Sequence, residues 1–332
     1  MGYVASDKKY ENMEYKKCGE SGLKLPRVSL GLWHNFSAHD DYENMKAMCF
    51  CAFDSGITHF DIANNYGRPI PGSAEESFGR IVREEMKSYR DEMIISTKAG
   101  YYMWEGPYGD GGSRKYMLSS LDASLRRLGL DYVDIFYHHC PDKDTPLEET
   151  MGALDHAVKS GKALYAGLSN YDGAMMKEAA AILRELRCPF VINQNRYSIL
   201  DRKIEYNGLL TSAIEEKKGV IVYSPLAQGL LTDRYLFGIP NDSRVRTSGL
   251  FLKESSITED KLKKASALNE IAKERGETLA QMALSWVLNK DGITGVLIGA
   301  SKPEQIRENA AACRYSPFSD EELRMIDEIA FK

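Results

Sequence analysis

The sequence lacks a long hydrophobic run, since no stretch of its 332 residues approaches the roughly 18 consecutive apolar residues of a membrane-spanning helix. It also lacks a strong excess of either charge: 43 basic residues stand against 48 acidic ones, for a net charge of −5. Such a balance does not indicate a nucleic acid or a membrane surface as partner. We therefore predict neither a membrane protein nor a nucleic-acid-binding protein.

Cysteine pairs with the spacing of a metal or redox site are also missing. The six cysteines, at positions 18, 49, 51, 140, 188 and 313, include no C-x-x-C pair. In a chain of this length they are typical of reduced thiols, and no Cys/His cluster has the spacing of a zinc site. The N-terminal segment is polar and lacks the apolar core of a signal peptide. These features predict a cytoplasmic protein that holds no metal.

The sequence lacks the glycine motifs by which open α/β folds bind nucleotides. Neither G-x-G-x-x-G nor the phosphate-binding string G-x-x-x-x-G-K-[ST] occurs. The glycine-rich segment GPYGDGG (106–112) follows the third predicted strand, but its spacing is different. A dinucleotide, if one binds, must therefore bind by another route.

What the chain does contain is a regular alternation of short apolar runs with longer amphipathic segments. Several runs do not alternate cleanly between apolar and polar residues, which is typical of parallel strands buried on both faces. Most of them start about 30 residues apart, as a strand–helix–strand unit requires. The eight runs are VSLGLW (28–33), THFDIA (58–63), MIISTKA (93–99), VDIFYHH (133–139), LYAGLSN (164–170), FVINQN (190–195), VIVYSPL (220–226) and GVLIGAS (295–301).

Eight such units in a row predict an α/β fold of the (β/α)8, or TIM, barrel type, with one domain over residues 1–332. A stripe of leucines at helical spacing predicts a helix over 115–128, with Gly129 at its C-cap. Residues 13–27 are expected to form a β-hairpin that plugs the bottom of the barrel. The polar stretch 227–258, after the seventh strand, is expected to be a long functional loop.

Polar side chains stand at the C-terminal ends of the predicted strands, where barrels of this type collect their functional residues. Asp61 and Lys98 end neighbouring strands, and we expect them to pair because such residues are almost never buried alone. Tyr66 follows in the loop after the second strand. His138 and His139 are adjacent and so face opposite sides of their strand, and periodicity does not choose between them.

These residue types suit a site of proton transfer. The ordinary tyrosine pKa near 10 is high for exchange at neutral pH, and we expect the Lys98 cation, held by Asp61, to lower the pKa of Tyr66. A neutral histidine would orient a carbonyl oxygen towards Tyr66. Each residue taken singly also has a structural interpretation, so the hypothesis rests on their joint presence at successive strand ends.

Six collinear segments resemble the signature segments of the aldo-keto reductases: FDIANNYG, IISTKAG, LDYVDIFYHH, AGLSN, YSPLAQGLL and VLIGASKPEQIREN. The resemblance covers about residues 14 to 330. It implies a catalytic tetrad of Asp61, Tyr66, Lys98 and His139, with Tyr66 as general acid. Segments such as SLGLWHNF and GPYGDGGSRKY look similar to the family's bacterial L-glyceraldehyde 3-phosphate reductases, and next to the β subunits of voltage-gated potassium channels.

The resemblance also implies an NADPH cofactor and its contacts. Tyr223 matches the aromatic residue that stacks on the nicotinamide. Lys302 would hold the 2′-phosphate, because Gln305 stands where many members of the family have arginine. Two alternatives stay open: Asn170 could cap the next helix, and Arg234 and Arg244 could be ordinary surface charges. The other implied cofactor contacts are Trp33, Asp61, Ser169, Asn170, Gln194, Ser224, Leu226, Gln228, Gly229, Arg234, Arg244, Gly299, Ser301, Glu308 and Asn309.

The resemblance further implies a small aldehyde as substrate, of the glyceraldehyde 3-phosphate or methylglyoxal class, and a homo-oligomer, tetramer or octamer. One alternative is an NADP-sensing partner subunit, although channel β subunits carry asparagine at the position of His139. Another is a metal-dependent hydrolase using His138, His139 and Asp61, which requires at least three converging ligands. The expected substrate mouth consists of Trp33, Tyr66, Tyr101, Trp104, Tyr108 and His139.

Overall fold

The structure is a computed structural model that describes residues 2–236, 238, 257–314 and 317–331. Its first two strands, β1 (Tyr15–Lys17) and β2 (Lys24–Pro26), form an antiparallel hairpin. Eight parallel strands then close into a ring in the order β10-β3-β4-β5-β6-β7-β8-β9. The ring strands are β3 (Val28–Gly31), β4 (His59–Asp61), β5 (Ile94–Ala99), β6 (Val133–His138), β7 (Ala163–Ser169), β8 (Phe190–Arg196), β9 (Gly219–Tyr223) and β10 (Ile293–Ile298).

Helices follow the ring strands and cover the outside of the barrel. Each of the eight apolar runs overlaps one ring strand, and the predicted (β/α)8 barrel is confirmed. Among the described residues, no helix is both long and apolar enough to cross a bilayer. The helices are α1 (Tyr42–Asp54), α2 (Ser73–Ile81), α3 (Arg114–Leu128), α4 (Leu147–Lys159), α5 (Gly173–Glu185), α6 (Lys203–Tyr206), α7 (Leu209–Glu215), α8 (Glu259–Glu274), α9 (Leu279–Leu288), α10 (Pro303–Ala310) and α11 (Asp320–Phe331).

Helix α3 shows how local sequence sets an element. The Ser113 side chain accepts a hydrogen bond from the backbone N–H of Tyr116 and so caps the first turn. Leu121 and Leu128 are fully buried against the barrel. Gly129 ends the helix in the left-handed conformation, at φ 66°, and its N–H donates to the Leu125 carbonyl. The prediction for this helix and its C-cap is confirmed.

The hairpin closes the end of the barrel at which the strands begin. The Glu20 N–H donates to the carbonyl of Lys217, just before β9, and the Arg27 guanidinium donates to the carbonyls of Ile293 and Thr294 at the start of β10. Leu25 is fully buried among side chains from inside the ring. This inner cluster consists of Cys18, Leu23, Leu25, Ile135, Tyr137, Val191, Ile192, Ile221 and Leu297. The hairpin is thus the plug that the sequence predicts, and the opposite end of the barrel is left for the site.

Candidate active site

An ion pair lies buried at the C-terminal ends of β4 and β5. The Lys98 Nζ donates to Asp61 Oδ2 at 2.5 Å and to the Ile62 carbonyl at 2.8 Å. The side chain of Lys98 is fully buried, and only 3% of the Asp61 side chain is exposed. The strand register explains the meeting, because Asp61 lies beside Ser96 and Lys98 is two residues further along β5, on the same face. This is the pair that the strand ends predict.

Asp61 is held by two further donors. Its Oδ1 accepts from Ser96 Oγ at 2.6 Å and from Gln194 Nε2 at 3.1 Å. Ser96 in turn contacts His59 Nε2 at 3.0 Å, and burial lowers the pKa of His59 to about 4. Ser96 is a residue of this site that the strand ends did not predict. Its signal is the two-residue spacing from Lys98, which places both side chains on the inner face of β5.

Tyr66 lies directly above the ion pair. The Lys98 Nζ is 5.1 Å from the centre of the Tyr66 ring. The ring of His139 is 5.9 Å from that of Tyr66, and the ring of Trp33 is 6.4 Å away on another side. The chain reaches this position through a tight turn in which the Tyr66 N–H donates to the Ala63 carbonyl. The structure therefore brings together all four residues of the expected tetrad.

The expectation that Lys98 lowers the pKa of Tyr66 is wrong. Burial raises the pKa of the Tyr66 hydroxyl well above its ordinary value, and the nearby Asp61 carboxylate raises it further. Lys98 does not reverse this shift because its charge is compensated by Asp61 at 2.5 Å. Burial also lowers the pKa of Lys98, an effect that Asp61 opposes. Tyr66 is consequently a protonated hydroxyl, and thus a donor, at neutral pH.

The two adjacent histidines have different surroundings. His139 lies 5.9 Å from Tyr66, and burial, reinforced by the Lys98 charge, lowers its pKa well below the ordinary value, so its ring is neutral. Its Nδ1 is buried and has no hydrogen-bond partner among the described residues. His138 instead bonds through Nδ1 to the Tyr171 hydroxyl at 2.7 Å. The structure thus places the second histidine of the pair in the site and the first in the packing behind it.

Beside the tetrad, three polar side chains form a chain of hydrogen bonds across the ends of β6, β7 and β9. The Tyr223 hydroxyl donates to Asn170 Oδ1 at 2.8 Å, and Asn170 Nδ2 donates to the His139 carbonyl at 2.9 Å. Ser169 Oγ is 3.3 Å from the same amide nitrogen. Helix α5 is capped by Asp172, so the alternative role of Asn170 as its N-cap is wrong. Asn170 is held at φ 64°, where asparagine is better tolerated than most residues.

The segment that leaves β9 has an unusual backbone. Ser224, Ala227 and Gln228 adopt φ values of 55°, 47° and 59°, followed by Gly229 at 98°. Non-glycine residues rarely adopt such values, and strained backbone of this kind clusters at ligand sites. Leu226, in the same segment, is half-buried, and Arg234 lies in a short 3-10 helix, Asp233–Tyr235. Arg244, also expected to contact the cofactor, lies outside the described residues.

A second cluster of expected cofactor residues lies around the start of α10. Gln305 Oε1 accepts from the Ser301 N–H at 2.8 Å and from its hydroxyl at 3.2 Å. Lys302 is the exposed N-cap residue of the helix. A side chain added at Gly299 would meet no atom within 4 Å, so the approach to the helix is open. In the last turn of α10, Asn309 is buried and Glu308 is exposed.

The aromatic residues of the expected mouth separate into two groups. The Tyr101 ring lies 4.6 Å from the ring of His139, edge to face. Trp104 instead packs on Tyr116, with 5.6 Å between ring centres, and Tyr108 lies under the Lys115 Nζ at 5.1 Å. Trp104 and Tyr108 are 42% and 50% exposed, as befits a loop at the rim. The rings of Trp33, Tyr66, His139 and Tyr101 thus form one row of neighbouring rings. Trp104 and Tyr108 contact α3 instead.

A metal centre would need several ligands that converge. Across the described ranges, no group of three His, Cys, Asp or Glu side chains is arranged to hold a metal ion. His138, a ligand in the hydrolase alternative, is instead bonded to Tyr171. The described geometry therefore offers that alternative no ligand set.

Comparison with known proteins adds three findings. The sequence profile of the Aldo/keto reductase family matches residues 27–330. The chain is 53% identical to the L-glyceraldehyde 3-phosphate reductase of Escherichia coli K12 over 331 residues, which cover 99% of this chain and 95% of that protein. It is 37% identical to a probable voltage-gated potassium channel subunit beta of Arabidopsis thaliana over 309 residues, or 92% of each chain.

A solved structure agrees with the sequence comparisons. A thermostable aldo-keto reductase in complex with the inhibitor epalrestat matches with a TM-score of 0.74 and 30% identity. The match covers 96% of this chain and all of that one. The likeness therefore extends over the whole barrel and is not limited to a few motifs.

Proposed function

The chain belongs to the aldo/keto reductase family, and from this premise we propose that it is an NADPH-dependent reductase of small aldehydes with Tyr66 as its general acid. The substrate class that we propose is that of glyceraldehyde 3-phosphate and methylglyoxal. The 53% identity to the L-glyceraldehyde 3-phosphate reductase supports the first of these. The observation that carries the proposal is the buried Lys98–Asp61 pair directly beneath Tyr66 and beside a neutral His139.

The residues of the site fit a nicotinamide dinucleotide. The Tyr223 ring is fixed through its hydroxyl at the edge of the tetrad, with the Ser169 hydroxyl and the Asn170 amide beside it. The strained segment 224–229 contains backbone N–H groups that would donate hydrogen bonds to a pyrophosphate, and strain of this kind persists where a ligand site requires it. At the start of α10, the N-terminal N–H groups and Lys302 suit a phosphate.

In this proposal each group has a definite task. The nicotinamide would be oriented by Tyr223, Ser169, Asn170 and Gln194. The pyrophosphate would be held by residues 224–229 with Arg234 and Arg244, and the ribose would be covered by Trp33. The adenosine phosphate would be held by Gly299, Ser301, Lys302, Gln305, Glu308 and Asn309. The cofactor supplies a hydride when bound; the protein supplies orientation and a proton.

The proton comes from Tyr66. Because burial keeps its hydroxyl protonated, Tyr66 can donate a hydrogen bond to a carbonyl oxygen and then its proton to the oxygen as negative charge develops there. The phenolate that remains lies near the Lys98 cation, 5.1 Å from the ring centre, whose attraction offsets part of the cost of burying that negative charge. Asp61 holds Lys98 in that position and keeps it charged against burial. Neutral His139, beside Tyr66, would orient the carbonyl oxygen.

We also propose that the protein acts in the cytoplasm as a single domain over residues 1–332, and assembles as a tetramer or octamer. The free state of all six cysteines supports a reducing compartment. The assembly rests on the family resemblance, and sedimentation of the purified protein tests it. A single species at the mass of the monomer would contradict it.

The test of the function measures loss of reduced-nicotinamide absorbance with a panel of small aldehydes. We expect turnover by the wild type, and a loss of about 10²-fold or more in Tyr66→Phe with NADPH affinity unchanged. Tyr197→Phe is the control, because Tyr197 is a fully buried tyrosine outside the tetrad whose hydroxyl bonds to Glu205.

Two results would count against the proposal. Normal turnover by Tyr66→Phe would refute Tyr66 as the acid. Tight NADPH binding by the wild type without turnover of any aldehyde would instead favour the NADP-sensing subunit, the role suggested by the similarity to a channel subunit.

A further inference from the structure

Tyr116, in the first turn of α3, joins two loops at the rim of the site. Its side chain is fully buried. Its hydroxyl donates to the Tyr101 carbonyl at 2.6 Å and accepts from Asn64 Nδ2 at 3.1 Å. Asn64 lies two residues before Tyr66 on the catalytic loop, and Tyr101 begins the loop after β5. One hydroxyl thus ties the loop that carries Tyr66 to the loop that carries the aromatic mouth.

The hydrogen bond from the Tyr116 hydroxyl to the Tyr101 carbonyl holds a residue that lies beside His139, where the substrate is expected to bind. The Tyr101 ring lies 4.6 Å from that of His139, at an interplanar angle of 73°. On either side of Tyr101, the loop is closed on itself by hydrogen bonds from the Gly111 N–H to the Gly100 carbonyl and from the Met103 N–H to the Gly109 carbonyl. The ring position of Tyr101 therefore depends on where its own backbone is held, and the Tyr116 hydroxyl holds it.

The Asn64 side chain is bonded through its Nδ2 to the Tyr116 hydroxyl. Asn64 is fully buried, and among the described residues its Oδ1 has no hydrogen-bond partner. Without the Tyr116 hydroxyl, the Nδ2 of the same amide would lose its bond as well. Unsatisfied buried amides are costly, so the Asn64 side chain and the Tyr101 backbone would shift to find new partners. Tyr66 itself would stay in place, because its N–H donates to the Ala63 carbonyl and its carbonyl accepts from the Gly72 N–H.

We infer that Tyr116 is a positioning residue for the aldehyde: it fixes the Tyr101 ring against His139, so that a small aldehyde is confined above Tyr66. The inference rests on the proposed reductase function. It assigns Tyr116 no contact with substrate or cofactor, and no role in moving the proton. Its effect should therefore fall on aldehyde binding and leave NADPH binding and the chemical step largely intact.

The test compares Tyr116→Phe with Tyr197→Phe, which removes a buried tyrosine hydroxyl bonded elsewhere, to Glu205. Steady-state kinetics with methylglyoxal give KM and kcat, and quenching of protein fluorescence gives the Kd for NADPH. We expect Tyr116→Phe to raise the KM for methylglyoxal roughly five- to tenfold, with kcat and the NADPH Kd changed by less than about twofold. Tyr197→Phe should leave all three values unchanged.

A double-mutant cycle with Tyr101→Ala shows whether Tyr116 acts through Tyr101. If it does, Tyr116→Phe adds little to the KM increase of Tyr101→Ala, because the ring that it positions is gone. Fully additive effects would overturn the inference, as would a Tyr116→Phe enzyme that matches the Tyr197→Phe control. Should Tyr116→Phe fail to fold, Tyr101→Ala alone tests the inference, and an unchanged KM for methylglyoxal in that variant would likewise overturn it.

The two proposals fail in different ways. A wild type that binds NADPH but reduces no aldehyde removes the proposed function, and the inference falls with it. An active wild type whose KM is insensitive to Tyr116→Phe removes the inference alone.

Discussion

Replacing Asp61 by asparagine tests the physical basis of the site most directly. Asp61 Oδ2 accepts from Lys98, and Oδ1 accepts from both Ser96 and Gln194. An asparagine keeps the shape but has a single acceptor oxygen. If that oxygen faces Ser96 and Gln194, the amide N–H groups face the Lys98 ammonium. If the amide is turned over, they face the Gln194 amide. In either orientation the N–H groups of the new amide face another hydrogen-bond donor, Lys98 or Gln194, unless one of these side chains reorients. In both cases Lys98 loses the negative charge that balances its own.

The magnitude follows from burial. The Lys98 side chain is fully buried and that of Asp61 is 3% exposed, so water cannot replace the lost carboxylate. Removing one partner of a buried pair costs about 3–5 kcal/mol of unfolding free energy. The cost should depend on pH, because burial already lowers the pKa of Lys98 and the variant lowers it further. The folded variant then binds fewer protons than its unfolded chain, so its stability rises with pH, by up to about 1.4 kcal/mol per pH unit.

The assay is urea unfolding followed by circular dichroism at three values between about pH 6 and pH 9, for the wild type, Asp61→Asn and Asp122→Asn. The control removes a carboxylate from an ion pair of nearly the same length, Lys162–Asp122 at 2.6 Å, whose side chains are 43% and 42% exposed. We expect the control to lose less than about 1 kcal/mol. The reasoning is refuted if Asp61→Asn lowers the free energy of unfolding by no more than Asp122→Asn does. It is also refuted if the stability that Asp61→Asn loses relative to the wild type increases as the pH rises.

Two further predictions concern the cofactor and the proton. Lys302→Ala should raise the KM for NADPH far more than the KM for NADH, because only NADPH carries the 2′-phosphate. Lys159→Ala, which changes a lysine of α4 on the other side of the ring, is the control. Equal effects of Lys302→Ala on both KM values would contradict the assignment. The kcat/KM for aldehyde reduction should vary by less than about twofold between roughly pH 6 and pH 9, since His139, with a lowered pKa, stays neutral on the acid side and Tyr66, with a raised pKa, stays protonated on the alkaline side. A decline in rate with a midpoint inside that range would show that one of these directions is wrong.

Much of the fold was readable because its signals are local or periodic. The apolar runs locate all eight ring strands, since parallel strands buried on both faces must be apolar almost throughout. The leucine stripe and Gly129 locate α3 and its end for the same kind of reason. Asp61, Tyr66 and Lys98 were also readable from the strand ends, because the topology of a closed barrel brings the carboxyl ends of its strands to one rim. The choice of His139 came from the family resemblance.

Other features depend on contacts between distant parts of the chain. Periodicity does not distinguish His138 from His139. The family resemblance selects His139, and the structure separates the two by their neighbours, Tyr171 for His138 and Tyr66 for His139. Asn170 has the sequence of a helix cap, yet Asp172 caps the helix and Asn170 bonds across the rim to Tyr223. Tyr116 has the pattern of an ordinary buried helix residue, and its link between Asn64 and Tyr101 exists only in the folded barrel.

The sequence by itself determined the barrel, the plug hairpin and the identity of the charged and aromatic groups at the rim, because these follow from periodicity and from the direction of the strands. The tertiary structure decided the pKa shifts of those groups. Lys98 stands 5.1 Å from Tyr66, close enough to suggest a lowered tyrosine pKa, but Asp61 compensates its charge and burial raises the pKa instead. The sign of such a shift is the balance of desolvation against several charges at set distances, and those distances exist only once the chain has folded.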